Sequence, residues 1–109
     1  MATPDEFFAI DMRVGTVVSA EPFPEARKPS IKMLIDFGEL GRKRSSAQLT
    51  VHYSPEELIG QQVVAAVNLG PRRIAGFVSE VLVLGAMQTE TEVVLLRVDR
   101  PVANGTRIG

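Results

Sequence analysis

Cysteine is absent from this chain, and its absence removes several kinds of chemistry together. Disulfides, thiolate metal sites and cysteine nucleophiles are all excluded, and the composition fits a reducing compartment. The single histidine, His52, has no second imidazole with which to hold a metal ion. The sequence therefore predicts no metal and no cofactor.

Long apolar runs and an excess of one charge are absent as well. No segment approaches the ~18 consecutive apolar residues of a membrane span, and residues 1–6 lack the basic start and the apolar stretch of a signal peptide. Twelve Lys and Arg residues oppose 13 Asp and Glu residues, so no global field draws the chain to nucleic acid or to an acidic membrane. We expect a cytoplasmic protein without membrane insertion.

Groups that could carry catalysis are scarce. A serine nucleophile needs a base, and His52 has no carboxylate at a telling spacing in the sequence, which favours a surface histidine. The pair Glu56 and Glu57 decorates a helix start, while Glu90 and Glu92 lie in a polar loop, so both pairs are interpreted as solvated surface. We expect no catalytic residue and no enzymatic activity.

Two short helices are predicted in a single domain of residues 1–109, a length that holds one hydrophobic core. A hydroxyl cap, a proline and a glutamate predict the first helix from Thr3 to about Ala9, and similar signals predict the second at 54–58. The aromatic rings are few, and those expected in the core are Phe7, Phe8 and Phe37.

Six segments have the composition or the alternation of β-strands. The clearest is 31–37, where every second side chain is apolar. The others are 14–20 with a bend or bulge at Gly15, then 43–49, 63–67, 81–84 and 93–96. A loop with three prolines is predicted at 21–29. Together they indicate an all-β barrel or sandwich. One helix between the third and fourth strands favours a five-stranded barrel, and we expect an OB-fold β-barrel with short helices and terminal extensions.

Three of these predicted strands lack the alternation of apolar and polar side chains. A small barrel buries one face of each strand, so apolar residues on both faces of 63–67, 81–84 and 93–96 require a second cover. A homodimer is the economical explanation.

Basic residues are concentrated between positions 42 and 79, where only two carboxylates accompany them. The basic residues are Arg42, Lys43, Arg44, Arg72 and Arg73. In an OB-type barrel the ligand lies across strands two and three, so this local excess permits an anionic partner. Solvated turns explain the same residues equally well.

Neutral polar side chains accompany the basic ones, and they suit either a phosphate or a peptide backbone. They include Ser46, Gln48, Asn68 and Ser79. Stacking aromatics are scarce, because only Tyr53 and Phe77 are candidates for exposure.

Several motifs, spread over nearly the whole chain, are similar to those of one protein family. They are Asp11–Gly15, Pro24–Arg27, Asp36–Gly38, Ser45–Gln48, Asn68–Gly85 and Asn104–Gly105. Together they resemble the CsaA family, whose members are stand-alone relatives of the tRNA-binding domain of methionyl- and phenylalanyl-tRNA synthetases. The resemblance implies a homodimeric OB-fold chaperone that binds unfolded or newly made polypeptides and assists protein export.

The same resemblance makes tRNA binding the alternative function. It implies ligand-binding roles for Ser46, Gln48, Asn68, Arg72, Arg73 and Ser79. One departure matters, because Val81 and Leu82 stand where tRNA-binding domains generally have glycine and methionine, and Glu80 adds a negative charge. This departure favours polypeptide partners over tRNA. A purely structural domain is the third and least favoured alternative.

Overall fold

The computed structural model describes all 109 residues, and both helices begin where the sequence predicts them. Helix α1 is Pro4–Phe8, and its start is a capping box: the Thr3 hydroxyl accepts from the Glu6 amide at 3.2 Å, and the Glu6 carboxylate accepts from the Thr3 amide at 3.0 Å. Helix α2, Pro55–Leu58, has the same arrangement at Ser54. Neither helix is long and apolar enough to cross a bilayer.

Nine strands and one short 3₁₀ helix, Gly38–Leu40, form the rest of the regular structure. The strands are β1 (Met12–Pro22), β2 (Ile31–Asp36), β3 (Arg42–Ala47), β4 (Gln62–Ala66), β5 (Arg72–Ile74), β6 (Phe77–Ser79), β7 (Leu82–Val83), β8 (Gly85–Met87) and β9 (Val93–Leu95). Five of them form an antiparallel sheet in the order β3-β2-β1-β4-β7. Strands β5 and β6 form one hairpin, and β8 and β9 form another.

The five-stranded sheet curls into a nearly closed barrel. Its two ends meet where the Glu80 amide donates to the Arg44 carbonyl at 2.8 Å and the Ser45 hydroxyl donates to the Val81 carbonyl at 3.0 Å. Helix α2 lies between β3 and β4 in the chain, as predicted. The predicted all-β, five-stranded OB-fold barrel is thereby confirmed.

The alternation read in the sequence of β2 is confirmed in the core. Ile31, Met33, Ile35 and Phe37 are buried, and they pack with apolar residues of β4, β7 and β9. Gly15 in β1 has a related packing role, because a Cβ there would lie 2.7 Å from atoms of both Ile35 and Phe37. Close packing of the core is the reason that a side chain is excluded at this position.

Several predicted details of β1 and β3 were wrong. The bulge of β1 lies between Val17 and Ser19 and not at Gly15. Strand β1 continues to Pro22, because Glu21 and Pro22 still pair with β2 and the hydrogen bonding resumes at Phe23. Strand β3 ends at Ala47, two residues earlier than predicted.

The prediction that Phe7 and Phe8 belong to the core was wrong, whereas Phe37 is buried. Helix α1 has only about one turn and buries no residue, which leaves these rings 45% and 49% exposed. They stack edge to face at 5.1 Å, and the Arg107 guanidinium lies 5.9 Å from the Phe8 ring. Neighbouring aromatic and cationic groups thus replace the expected core contacts.

The three runs without alternation differ in how they are covered. In 63–67, residues Val63 to Ala66 are all buried within this one chain, so their second face needs no further subunit. On the later runs Leu82, Val94 and Leu96 are exposed. Of the three runs, only 81–84 and 93–96 therefore leave large apolar side chains exposed.

Candidate functional site

Strand alternation divides the basic triplet of β3. Ser45 is fully buried, so Arg44 and Ser46 on either side of it point outward together with Arg42, whereas Lys43 belongs to the opposite face. In the β2–β3 register, Arg42 lies opposite Asp36, Arg44 opposite Leu34, and Ser46 opposite Lys32. The structure therefore brings two of the three predicted cations onto one face.

Beside this face lies a groove of about 260 Å³, which we call the smaller groove. It is lined by residues of β1, β2 and β3 and by Phe77 of β6. The Lys32 ammonium lies 5.0 Å from the Phe23 ring and 5.6 Å from the Phe77 ring, and the Arg44 guanidinium lies 5.7 Å from Phe77. Lys32 and Phe23 were missed by the sequence reasoning, although the β2 alternation had already placed Lys32 outward.

The cations of the smaller groove and its flank are balanced by carboxylates. Lys32 pairs with Glu21 at 3.2 Å, and Arg44 pairs with Glu80 at 3.5 Å. Arg42 lies across the strand pair from Asp36. Three carboxylates thus accompany three cations, although Arg42 forms no ion pair, and this surface has no net excess of positive charge for a phosphate backbone.

A second groove of about 490 Å³, the larger groove, lies between the 26–30 loop, the end of β3, the β5 strand and the β7–β9 region. Its apolar lining includes Leu49, Ile74, Leu82, Leu84, Val93 and Leu95. Three predicted site residues, Ser46, Gln48 and Arg72, also line it. A volume in the range of about 300–1,000 Å³, with a mostly apolar lining and few polar groups, is typical of ligand sites.

Gln48 makes the polar part of this lining unusual. Its Oε1 atom is buried and accepts no hydrogen bond from the chain. An unpaired buried acceptor costs about 1–3 kcal/mol, and most such atoms in proteins have a partner. Because this atom has almost no accessible surface, the Gln48 amide must turn toward the larger groove before a ligand donor can pair with it.

The charged residues that line the larger groove are predominantly basic. They are Arg27, Lys28, Arg72 and Glu90. Lys28 pairs with Glu90 at 3.5 Å, whereas neither arginine forms an ion pair within the chain. Two free guanidinium groups therefore accompany the apolar lining, and Arg27 had not been predicted as a site residue.

The β5–β6 hairpin contributes to both grooves. Its turn at Ala75 and Gly76 has φ values of 46° and 82°, a left-handed pair that closes two-residue hairpins. Ile74 and Phe77 are cross-strand partners in this hairpin. Ile74 lines the larger groove, and Phe77 lines the smaller one. Strand alternation places Arg73 on the other face of the hairpin from Arg72.

Two predicted site residues are engaged inside the chain. The buried Ser79 hydroxyl accepts from the Ser46 amide at 3.2 Å and donates to the Val81 carbonyl at 3.3 Å. The Asn68 side chain accepts from the Asp11 amide at 2.8 Å and donates to the Ala9 carbonyl at 2.9 Å. Both side chains hold chain segments together, so any contact with a ligand would compete with these bonds.

Beside Asn68, a charged cluster joins the N-terminal segment to the C-terminal one. The Arg13 guanidinium donates to the Asp11 carboxylate at 2.7 Å and to the Gly105 carbonyl at 3.0 Å, and Arg107 lies 3.8 Å from the same carboxylate. The hydrogen bond from Arg13 holds the pKa of the Asp11 carboxyl below its usual value. We call Asp11, Arg13 and Arg107 the terminal cluster.

His52 lies at the surface beside a carboxylate that is distant in sequence. Its Nε2 atom is 3.0 Å from Glu92 Oε1, and the neighbouring Tyr53 hydroxyl accepts from the Leu95 amide at 3.0 Å. These contacts join the segment before α2 to β9. No group of three or more His, Asp or Glu side chains is close enough to hold a metal ion.

The fold and its two grooves define an OB-fold binding domain, and comparison with known proteins places it in a family. The family model described as "Putative tRNA binding domain" matches residues 12–107. Similar sequences include the methionine–tRNA ligases of Methanocaldococcus jannaschii, 37% identical over 91% of this chain, and Thermotoga maritima, 34% identical over 97%. The chain spans only 15% and 16% of the length of those two enzymes.

Three solved structures match over the whole of this chain. The chaperone CsaA from Bacillus anthracis has a TM-score of 0.96 at 56% identity, with 99% of its own length covered. The CsaA chaperone protein from Picrophilus torridus has a TM-score of 0.90 at 44% identity with full coverage, and a MetRS-related protein from Pyrococcus horikoshii has 0.87 at 30% with 98% covered. The chain therefore belongs to the tRNA-binding domain family and, within it, to the CsaA family, as its motifs predicted.

Proposed function

We propose that this protein is a molecular chaperone that binds unfolded or newly made polypeptides and assists protein export. The observation that carries the proposal is the larger groove, which combines an apolar lining with an unpaired buried acceptor on Gln48 and free cations on Arg27 and Arg72. Apolar side chains of a client would bury surface there, and its main chain would supply hydrogen-bonding groups. The identity to two CsaA chaperones supports the same interpretation.

The proposal includes a cytoplasmic homodimer without enzymatic activity. Val94 and Leu96 are exposed on the outer side of the β8–β9 hairpin, and Phe7 and Phe8 are exposed on α1. Covering such residues with a second copy would remove apolar surface from water, which supports dimer formation. A dimer would present two larger grooves to one client, which raises the effective affinity for long unfolded chains.

Transfer RNA binding is the second candidate, because the family match covers residues 12–107. The smaller groove, with Lys32, Arg44 and Phe77 beside the exposed face of β2 and β3, is where an OB-fold would hold a strand of nucleic acid. The charge balance of this groove weighs against it, because the Glu21 carboxylate neutralises the lysine and the Glu80 carboxylate neutralises the arginine.

The two candidates differ in their response to salt. We would measure the binding of an unfolded polypeptide and of bulk tRNA in parallel by fluorescence anisotropy at two salt concentrations, with sedimentation to determine the oligomeric state. Apolar contacts predict polypeptide binding that survives salt, whereas several phosphate contacts predict an affinity that falls steeply. Binding of tRNA alone, with a slope of several phosphates, would replace the chaperone proposal by an RNA-binding one.

A further inference from the structure

The larger groove has a predominantly basic set of charged lining residues. Its lining contains three cations and one carboxylate, and Glu90 already pairs with Lys28 at 3.5 Å. The guanidinium groups of Arg27 and Arg72 have no carboxylate partner in the chain. An arginine fork beside an apolar surface is suited to a carboxylate carried by an apolar ligand.

The Gln48 side chain adds a second selective feature. No hydrogen bond within the chain uses its amide, and the buried Oε1 atom needs a donor. A side-chain amide offers one acceptor and one donor group, which is the complement of a peptide unit. The main chain of an extended segment supplies a matching N–H and C=O without any requirement on the side chain.

We infer that the larger groove selects extended segments in which aliphatic side chains are flanked by acidic ones. This inference rests on the proposed chaperone function. The aliphatic side chains contact Leu82, Leu84 and Ile74, and the flanking carboxylates pair with Arg27 and Arg72. The Gln48 amide, once turned toward the groove, binds the main chain between them. Arg27 and Arg72 are therefore specificity-determining residues, and Gln48 forms hydrogen bonds with the main chain of the ligand.

The first test uses three fluorescent peptides with one leucine-rich centre and flanks of Glu, Gln or Lys. We expect the Glu-flanked peptide to bind about twofold to fivefold more tightly than the Gln-flanked one at low salt, the range of exposed ion pairs, and the Lys-flanked peptide to bind most weakly. Equal affinities, or a preference for Lys flanks, would overturn the inference.

A matched pair of variants assigns the preference to its residues. In the double variant Arg27→Gln and Arg72→Gln, the Glu and Gln peptides should bind equally. The double variant Arg97→Gln and Arg100→Gln removes two exposed arginines that line neither groove and should leave the preference intact. Loss of the preference in this control would mean that net charge, and not the groove, sets it.

The second test addresses Gln48 through the ligand. Each amide of the Glu-flanked peptide is methylated in turn, which removes one donor at a time. One position should cost about threefold to tenfold in affinity, the range of a single hydrogen bond, and that cost should vanish in Gln48→Leu. Circular dichroism checks the fold of the variant, and a flat methylation profile in the unchanged protein contradicts the role of Gln48 without any variant.

Failure of this inference is distinguishable from failure of the chaperone proposal. If an unfolded polypeptide binds but the three peptides bind equally or not at all, the selectivity is wrong and the chaperone proposal stands. If neither the polypeptide nor any peptide binds, the chaperone proposal itself is wrong.

Discussion

The larger and the smaller groove share the β5–β6 hairpin, but they offer a ligand different chemistry. In the smaller groove, Lys32 and Arg44 lie on aromatic rings and each has a carboxylate partner. In the larger groove, Arg27 and Arg72 have none, and the surrounding side chains are mostly apolar. The surface that an OB-fold would use for nucleic acid therefore has no net positive charge, and of the two grooves only the larger one is lined by arginines without an ion pair.

This difference shows that a basic run in a sequence does not define a basic surface. Arg42, Lys43 and Arg44 are consecutive, yet alternation turns the lysine away from the two arginines. Glu80 is 36 residues distant from Arg44 and still pairs with it. Strand register, which joins distant residues, decides which charges remain free.

The largest expected effect is that of a substitution at Leu82, which should impair the larger groove and leave the smaller one intact. This side chain is half exposed and lines only the larger groove, so Leu82→Glu should weaken polypeptide binding by about tenfold or more, the loss of one buried leucine contact. Anisotropy with an unfolded polypeptide measures the loss. Ile59→Glu, at an equally exposed leucine-sized residue that lines neither groove, is the matched control and should bind normally.

The reverse experiment gives the smaller groove free charge. In the double variant Glu21→Gln and Glu80→Gln, Lys32 and Arg44 lose their carboxylate partners, while the new side-chain amide at position 80 keeps an oxygen that can accept from the Arg44 backbone amide. The affinity for tRNA at low salt should rise by severalfold, and the salt dependence should steepen by about 1–2 in the log–log slope. Unchanged tRNA affinity would show that this face does not contact phosphates. Polypeptide binding should not change.

Most of the fold could be predicted because it rests on local signals. The alternation in 31–37 identifies β2, the hydroxyl–proline–glutamate patterns identify both helices, and the spacing of strands indicates a five-stranded barrel. The errors came from tertiary context. Phe7 and Phe8 look like core residues by type, but a one-turn helix at the surface offers no core to enter.

The candidate site was only partly predictable. Ser46, Gln48 and Arg72 are predicted site residues and share the larger groove. Arg27 belongs to the proline-rich loop and to the Pro24–Arg27 motif, neither of which predicts a binding role for it. Which polar groups are free depends on partners that sequence spacing does not reveal. Asn68 and Gln48 are both amides among the predicted residues, yet one is bonded within the chain through both its oxygen and its nitrogen, and the other has an unpaired oxygen.

A smaller effect tests whether the grooves depend on the terminal cluster. Asp11→Asn removes the charge that Arg13 and Arg107 share, and it should lower the free energy of unfolding at pH 7 by about 1 kcal/mol, discounted for partial exposure. The polypeptide and tRNA affinities should stay the same, since the cluster lines neither groove. Urea unfolding measures the stability change.

The loss of unfolding free energy caused by Asp11→Asn should be smaller at low pH than at neutral pH. The pKa of Asp11 is lower in the folded chain than its ordinary value, so the carboxylate stabilises the fold fully above the unfolded pKa of about 4. This stabilisation is lost as the pH falls through the lower, folded-state pKa. The difference between Asp11→Asn and the unchanged protein should therefore shrink below a pH of about 4, and a difference that persists there would assign it to packing and not to charge.

The smallest expected effect concerns Glu90, the one carboxylate in the lining of the larger groove. Its pair with Lys28 is exposed, so Glu90→Gln should leave stability unchanged within error. The substitution frees a third cation, and the affinity for an acid-flanked peptide should rise by about twofold at low salt and converge with that of the unchanged protein at high salt. Because Glu90 does not line the smaller groove, the affinity for tRNA should not rise. A parallel rise for both ligands would mean that each responds to overall charge, and the distinction between the two grooves would then fail.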